Sequence, residues 1–249
     1  MTLRAVAFGD QRAGVWGAAF SAHPDLPSFA MLAAPATAVV PIEVAAESSR
    51  GDDWLIAGDG LELTVAGAGV NADSPNQDFD QLVAVRGRLQ GDRAREVDCR
   101  GCRSERADAV EPGRFVLVRD VCAWFGPGDG FAFVAVRPRR ASGHGDEHVS
   151  ATIFSSGHAL RVAEPRLSTG YGEEGEPIRA SLEMWLEDDD EPPEPGQEEP
   201  VRYPRRAAGE ASGPESTHDF ANLALELQPF RWRSEGRDGA GIYLLARAR

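Results

Sequence analysis

The sequence contains no lysine, and this absence excludes several classes of chemistry. All 26 basic residues are arginine. Without a lysine amine, the chain cannot form a Schiff base with a carbonyl substrate or with pyridoxal phosphate. It also lacks the lysine of a phosphate-binding P-loop and of a Ser-Lys catalytic pair. The sequence therefore excludes lysine-dependent aldolase, pyridoxal phosphate and P-loop mechanisms.

Positive charge is also scarce, because 26 basic residues face 40 acidic ones and the formal net charge is −14. Binding to nucleic acid or to an anionic membrane depends on basic side chains that neutralise phosphates. Long apolar runs are absent too. The longest uncharged segment, about residues 28–42, contains Pro35 and Pro41 and is too short to span a bilayer as a helix. The sequence predicts no nucleic-acid partner and no membrane insertion.

Cysteine is rare, with three residues in the whole chain of 249. An odd number of cysteines in a long chain fits a reducing compartment better than a framework of disulfides. Near the N-terminus, Asp10 and Arg12 interrupt the sequence before an apolar segment of signal-peptide length forms. We therefore expect a cytoplasmic protein, and the sequence leaves its oligomeric state open.

What the sequence has in abundance is alternation of apolar and polar residues, in short runs that Gly, Pro or Asp interrupt roughly every 8–12 residues. In residues 178–187, Ile178 and Leu182 lie on the apolar face, and Arg179 and Glu183 lie on the polar face. A period of two gives one apolar face only if the backbone is extended. Many such strands predict an all-β protein, an antiparallel barrel or sandwich with few helices.

Turn signals divide the chain into hairpins and into two halves. Gly58-Asp59-Gly60 predicts a hairpin turn, because Asp-Gly supplies the positive φ angles of a tight turn. The segment Gly126–Gly130 predicts a second hairpin. The polar stretch Arg137–Glu147 is the expected boundary between halves. We therefore expect one β-barrel-like half over residues 1–140 and another over residues 141–249.

Two clusters carry residue types that bind metals. Cys99 and Cys102 have the spacing of half a zinc site or of a redox pair, but their flanks are typical of a β-turn. His144 and His148 are four residues apart, which places them on one face of either a helix or a strand. A chance pair beside a turn and a polar turn with solvated histidines are the simpler interpretations. We expect no metal, and metal binding by either pair stays the alternative.

Acid catalysis is the chemistry for which suitable residues are present. Asp120 and Glu183 lie on predicted strands, and a carboxylic acid against an aromatic wall can have a raised pKa and donate a proton. Trp124, Trp185 and Tyr243 are the candidate walls of a ligand cavity. Trp185 lies on the polar face of its strand, which suggests a second buried face or a barrel cavity. The alternative for each acid is an outward-facing, salt-bridged residue.

Five motifs spread through most of the chain share their layout with one known group of proteins. They are Trp16-Gly17 on an early strand, Gly87 in mid-chain, Arg137-Pro138 closing a hairpin, Glu183-Met184-Trp185, and the terminal hairpin from Trp232 to Tyr243. In this layout the chain resembles the lipocalin-like hydratase and cyclase families related to hydroxyneurosporene synthase. The resemblance implies two lipocalin-like β-domains, packed side by side, that act on or hold polyene and terpenoid-like molecules. It carries no catalytic residue across, because no local catalytic motif matches.

We therefore expect a lipocalin-like β-barrel protein that binds a hydrophobic, terpenoid- or polyene-like small molecule in a barrel cavity. As an enzyme it would be a hydratase, cyclase or isomerase, with Asp120 or Glu183 donating a proton to a double bond and with no cofactor. The alternative is a non-enzymatic carrier or an interaction module. In that case the segment 187–200, with eight acidic residues and four prolines, would be a mobile acidic loop that docks a basic partner.

Overall fold

Alternating residues form strands along nearly the whole of the described chain. The computed structural model describes residues 2–23, 26–34, 37–46, 53–73, 79–90, 94–107, 114–186, 203–220 and 222–249. These residues form antiparallel strands, joined by turns and by a 3-10 turn at His144–Asp146. Within these ranges, no helix is long and apolar enough to cross a membrane. The expectation of an all-β, antiparallel, lipocalin-like fold in two halves is confirmed.

Eight strands form the N-terminal barrel. They are β1 (Thr2–Asp10), β2 (Val15–His23), β3 (Leu26–Ala34), β4 (Ala38–Ala46), β5 (Trp54–Gly58), β6 (Leu61–Asp73), β7 (Phe79–Leu89) and β8 (Arg95–Ala107). Each strand pairs antiparallel with the next, and β8 pairs with β1 to close the barrel. β7 runs so close to β6 at Gly87, where φ is +149°, that a Cβ atom would lie 1.9 Å from the Glu62 carbonyl oxygen. This close approach requires glycine.

Nine further strands form the C-terminal barrel. They are β9 (Phe115–Gly126), β10 (Asp129–Pro138), β11 (His148–Ser155), β12 (His158–Tyr171), β13 (Pro177–Leu186), β14 (Arg205–Ala211), β15 (Ser216–Phe220), β16 (Leu223–Ser234) and β17 (Arg237–Ala248). The order around the barrel is β14-β13-β12-β11-β10-β9-β17-β16. β14 pairs with the second half of β16 and closes the barrel, while β15 pairs with the first half of the same strand.

The predicted hairpins are present, but the division of the chain differs from the expected boundary at residue 140. β5–β6 and β9–β10 are hairpins, as expected. β9 and β10 belong to the C-terminal barrel, because β9 pairs with both β10 and β17, so the chain divides between β8 and β9. The polar stretch Arg137–Glu147 is the β10–β11 connection. The polarity of this stretch has a local cause, because the Glu147 carboxylate forms ion pairs with Arg119 and Arg137. Arg137 Nε donates a hydrogen bond to Glu147 Oε1 at 2.9 Å.

Alternation gives the barrel walls one face directed inward and one directed outward. Where the barrels meet, apolar outward faces pack against each other, and we call this layer the seam. Its buried residues from the N-terminal barrel are Ala5, Trp16, Ala18, Phe20, Phe29, Met31, Ala33, Ala34, Leu82 and Cys102. Those from the C-terminal barrel are Phe115, Cys122, Trp124, Ala132, Phe154, Leu223, Leu225, Leu227, Ile242 and Ala246.

Large side chains occupy both barrel interiors. Phe8 and Trp54 are buried in the N-terminal barrel, together with a set of valines, leucines and isoleucines. In the C-terminal barrel, Phe131 meets Trp232 edge-on with ring centroids 5.0 Å apart, and Phe230 lies 5.6 Å from Trp232. Side chains therefore take up space at the centre of each barrel, where the sequence led us to expect a ligand.

Candidate functional site

A small cavity lies in the seam, with walls from β1, β2, β7 and β8 on one side and β9, β10 and β17 on the other. Its volume is about 20 Å³, enough for about one water molecule. Its polar groups are the side chains of Asp80, Ser104 and Asp120 and the thiols of Cys102 and Cys122. The remaining lining residues are Ala5, Val6, Ala7, Ala18, Phe20, Ala132, Ile242 and Leu244. A few polar groups thus converge in an otherwise apolar space.

The two aspartates of the cavity come from different barrels and have different surroundings. Asp80, on β7, forms an ion pair in which Arg106 Nη2 lies 2.6 Å from Asp80 Oδ1. Arg106 Nη1 also donates a hydrogen bond to the carbonyl oxygen of Phe79, at 3.1 Å. Arg106 is only 4% exposed, so its charge and that of Asp80 neutralise each other away from water.

Asp120, on β9, is the unpaired carboxyl group of the cavity. Across the residues that the structure describes, no hydrogen bond or ion pair reaches it. Burial raises the pKa of Asp120 from its ordinary value of 3.8 to about 6. The Arg106 guanidinium acts against this shift, and the Asp80 carboxylate adds to it. Asp120 therefore exchanges its proton close to neutral pH, as acid–base groups of enzymes commonly do.

The predicted site residues Asp120 and Trp124 are four positions apart on β9, and both face the seam, but only Asp120 lines the cavity. The ring of Trp124 faces that of Trp16 across the seam, with centroids 6.5 Å apart. Tyr243 lies instead inside the C-terminal barrel, where its hydroxyl shares a hydrogen bond of 2.8 Å with the hydroxyl of Thr169. Burial raises the pKa of Tyr243. Its ring is therefore separated from the seam by the wall of its own barrel.

Glu183 and Trp185 lie on the outward face of β13. Arg206 Nε donates to the Glu183 carboxylate at 3.0 Å, and this pair is exposed to solvent. The guanidinium of Arg166 stacks over the Trp185 ring, 4.9 Å from its centroid. The structure thus places Asp120 and Trp124 on the same face of β9, at the seam, and leaves the other three predicted residues apart from them. The catalytic and binding roles of all five stay predictions.

The turn expected at Cys99–Cys102 is wrong, because both cysteines lie within the extended strand β8. An odd separation along a strand directs two side chains to opposite faces. Cys99 points into the N-terminal barrel, where burial raises its pKa to about 12, and Cys102 points into the seam. The two thiols therefore do not share a site, as a zinc or redox pair would require.

Between the two histidines of the candidate metal site, the Glu147 carboxylate is turned inward and pairs with Arg119 and Arg137. His148 begins β11 and is exposed, and the side chain of His144 lies outside the described residues. Among the side chains that the structure describes, no group of three or more His, Cys, Asp or Glu could hold a metal ion. The acidic segment 187–200 also lies outside the described residues.

Sequence reasoning missed Asp80, Ser104 and Arg106. On β8, polar residues occur on both faces, a pattern that is typical of an exposed strand. The pattern therefore gives no sign that β8 packs against the other barrel. The one sequence signal for this contact is the presence of alanines on the outward faces of β1 and β2, such as Ala5 and Ala18. Small side chains on an outward strand face let two barrel walls approach each other closely.

Comparison with known proteins identifies the fold. No family model matches the sequence, and no curated protein matches it. A crystal structure of CghA with Sch210972 aligns with a TM-score of 0.58 and 8% identity, over 100% of this chain and 88% of that chain. A structure of CghA aligns with a TM-score of 0.56 and 9% identity, with the same coverage.

A third solved structure shows the same likeness. It is named for ATTH (NE1406) from Nitrosomonas europaea and aligns with a TM-score of 0.58 and 10% identity. The alignment covers 99% of this chain and 92% of that chain. At such low identity, and with nearly full coverage in each case, what the proteins have in common is architecture. The chain shares their lipocalin-like fold of two packed β-barrels.

Proposed function

We propose that this protein protonates a double bond in an apolar, polyene- or terpenoid-like small molecule at the seam, without a cofactor and with Asp120 as the acid. The observation that carries the proposal is the unpaired Asp120 carboxyl in an apolar cavity, with a pKa of about 6. A carboxylic acid with this pKa is still partly protonated at neutral pH and is acidic enough to donate.

Proton transfer from Asp120 to an alkene carbon gives a carbocation and the Asp120 carboxylate. Water that attacks the cation makes the reaction a hydration, loss of a neighbouring proton makes it an isomerisation, and attack by a second double bond makes it a cyclisation. In each case a proton returned to Asp120 completes the cycle. The Asp80 carboxylate on the opposite wall is neutralised by its ion pair with Arg106. The negative charge that faces the cation is therefore the Asp120 carboxylate that proton transfer leaves behind.

The size of the cavity sets a condition on binding. Ligand sites for small organic molecules usually measure about 300–1,000 Å³, whereas this cavity holds about 20 Å³. A substrate must therefore displace side chains of the seam, such as Phe20 and Leu82, and move the two barrel walls apart. That one structural neighbour was crystallised with Sch210972 supports a small-molecule role for this fold.

Deuterium transfer tests the proposal without knowledge of the natural product. The protein is incubated in D2O with a linear terpenoid alcohol, geranylgeraniol, and the recovered material is analysed by mass spectrometry. Addition of a deuteron to carbon labels the product of hydration, isomerisation and cyclisation alike. Asp120→Asn should reduce labelling by a factor of about 10² or more. The matched control is Asp98→Asn, because Asp98 is an exposed carboxylate that pairs with Arg86.

Two outcomes would contradict the proposal. Labelling that survives Asp120→Asn but is lost in Glu183→Gln would move the acid to the outer wall of the C-terminal barrel. Retention of the probe in native mass spectrometry, with no deuterium incorporated by the wild-type protein, would favour the non-enzymatic carrier instead.

A further inference from the structure

Two thiols from different barrels meet in the seam. Cys102 on β8 and Cys122 on β9 both line the seam cavity, which measures only about 20 Å³, and Cys122 has the largest effect on the pKa of Cys102. Each residue is 5% exposed. The two thiols therefore lie on the last strand of one barrel and the first strand of the other.

The third cysteine cannot take part in this contact. Cys99 lies three positions before Cys102 on the same strand and therefore points into the N-terminal barrel. The wall formed by β8 separates its thiol from the other two. The chain thus contains one pair of neighbouring thiols and one isolated thiol in an equally buried position, which serves as an internal control.

We propose that Cys102 and Cys122 are a redox modification site, and that a thiol oxidant such as glutathione disulfide joins them in a disulfide that fixes the two barrels together. Two cysteines that line one cavity of about 20 Å³ from opposite walls are close neighbours, and a disulfide requires the two β-carbons to lie close together. The proposal rests on the position of the two thiols in one small cavity and holds whether or not the seam is catalytic.

The oxidation proceeds by two exchange steps. One cysteine thiolate attacks glutathione disulfide, which forms a mixed disulfide and releases one glutathione thiolate. The other cysteine thiolate then attacks the protein sulfur of the mixed disulfide and releases the second glutathione thiolate. The two protons of the cysteine thiols end on the two glutathione molecules, so the protein loses two electrons and glutathione disulfide gains them.

Burial makes this pair slow to react in the closed seam. Cys122 and burial both raise the pKa of Cys102, with smaller contributions from Asp80 and Asp120. Since the thiolate is the reactive form, the exchange requires the barrel walls to separate, or takes place before the barrels pack. The disulfide, once formed, closes a loop through the β8–β9 connection and holds the seam shut around Asp120.

Refolding in a redox buffer tests the proposal at equilibrium, because all thiols are accessible in the unfolded chain. The reduced, full-length protein is refolded in a series of glutathione buffers from reducing to oxidising. Thiols are then blocked in denaturant with N-ethylmaleimide, and the mass and the disulfide-linked tryptic peptides are determined. In oxidising buffer, we expect one blocked thiol instead of three, with Cys102 linked to Cys122 and Cys99 carrying the label.

Variants separate this geometry from random pairing. Cys99→Ser should form the same disulfide to the same extent, and its thermal midpoint should rise on oxidation as that of the wild type does. Cys102→Ser and Cys122→Ser should form no internal disulfide and show no rise. A disulfide that includes Cys99, or three free thiols in every buffer in which the protein is folded, would overturn the proposal.

Discussion

Replacing Asp120 by asparagine should stabilise the protein at neutral and alkaline pH and have little effect near pH 4. In the unfolded chain this carboxyl ionises near 3.8, whereas burial in the folded seam raises its pKa to about 6. Between these values the folded state holds a proton that the unfolded state has lost, so stability falls as the pH rises through this window. Asparagine has nearly the same shape and carries no charge, so the free energy of unfolding of the variant does not fall in this pH window.

The magnitude follows from the size of the pKa shift. A shift from 3.8 to about 6 corresponds, at about 1.4 kcal/mol per pKa unit, to at most about 3 kcal/mol above pH 6. Urea unfolding, followed by tryptophan fluorescence at several values between pH 4 and pH 8, measures the difference. Asp98→Asn provides the exposed control, because its side chain is 77% exposed. A stability difference between Asp120→Asn and wild type that does not change with pH would refute this account of the seam.

Three further substitutions test other contacts by urea unfolding. Gly87→Ala should cost at least about 2 kcal/mol, because its φ is +149° and its Cβ would lie 1.9 Å from a β6 carbonyl oxygen; a smaller cost would mean that the strands separate easily there. Arg106→Met should lower the free energy of unfolding by about 3–5 kcal/mol at pH 7, since Asp80 would be left as an unpaired buried charge. Because Arg106 lowers the pKa of Asp120, the same variant should shift the pH dependence of the free energy of unfolding to higher pH. Tyr243→Phe should cost about 1 kcal/mol through loss of one hydrogen bond, and an unchanged unfolding midpoint would contradict that contact.

The strands could be predicted from the sequence because their signal is local. Alternation and the Asp-Gly turn at Gly58–Gly60 depend on neighbouring residues only, and the structure has the expected hairpins. Local irregularities were not visible. Ile178, expected on the apolar face of β13, is 40% exposed, because the register with β12 shifts at Tyr171. The sequence predicts a turn at Cys99–Cys102 because Arg100 and Gly101 interrupt the apolar pattern, whereas the strand β8 continues through them.

The candidate site could be predicted only in part, because it depends on which outer wall faces the other barrel. Asp120 and Glu183 look alike in the sequence, as each is an acid on an alternating strand close to a tryptophan. Asp120 lines the seam cavity because β9 lies at the seam, and Glu183 pairs with Arg206 on the outer wall because β13 does not lie there. Packing between two barrels is a tertiary property that has no period along the chain, which is also why Asp80 and Arg106 went unnoticed.

Within the ranges that the structure describes, no backbone ladder runs from one barrel to the other, and every paired strand has its partners in its own barrel. Backbone hydrogen bonds therefore hold each barrel together, whereas side-chain packing holds the two barrels against each other. Substitutions among the alanines and aromatic residues between the barrels can change the shape of that space while both sets of ladders stay intact. The hydrogen-bonded ladders of each barrel therefore do not depend on which side chains fill the seam, and the same architecture occurs at 8–10% identity.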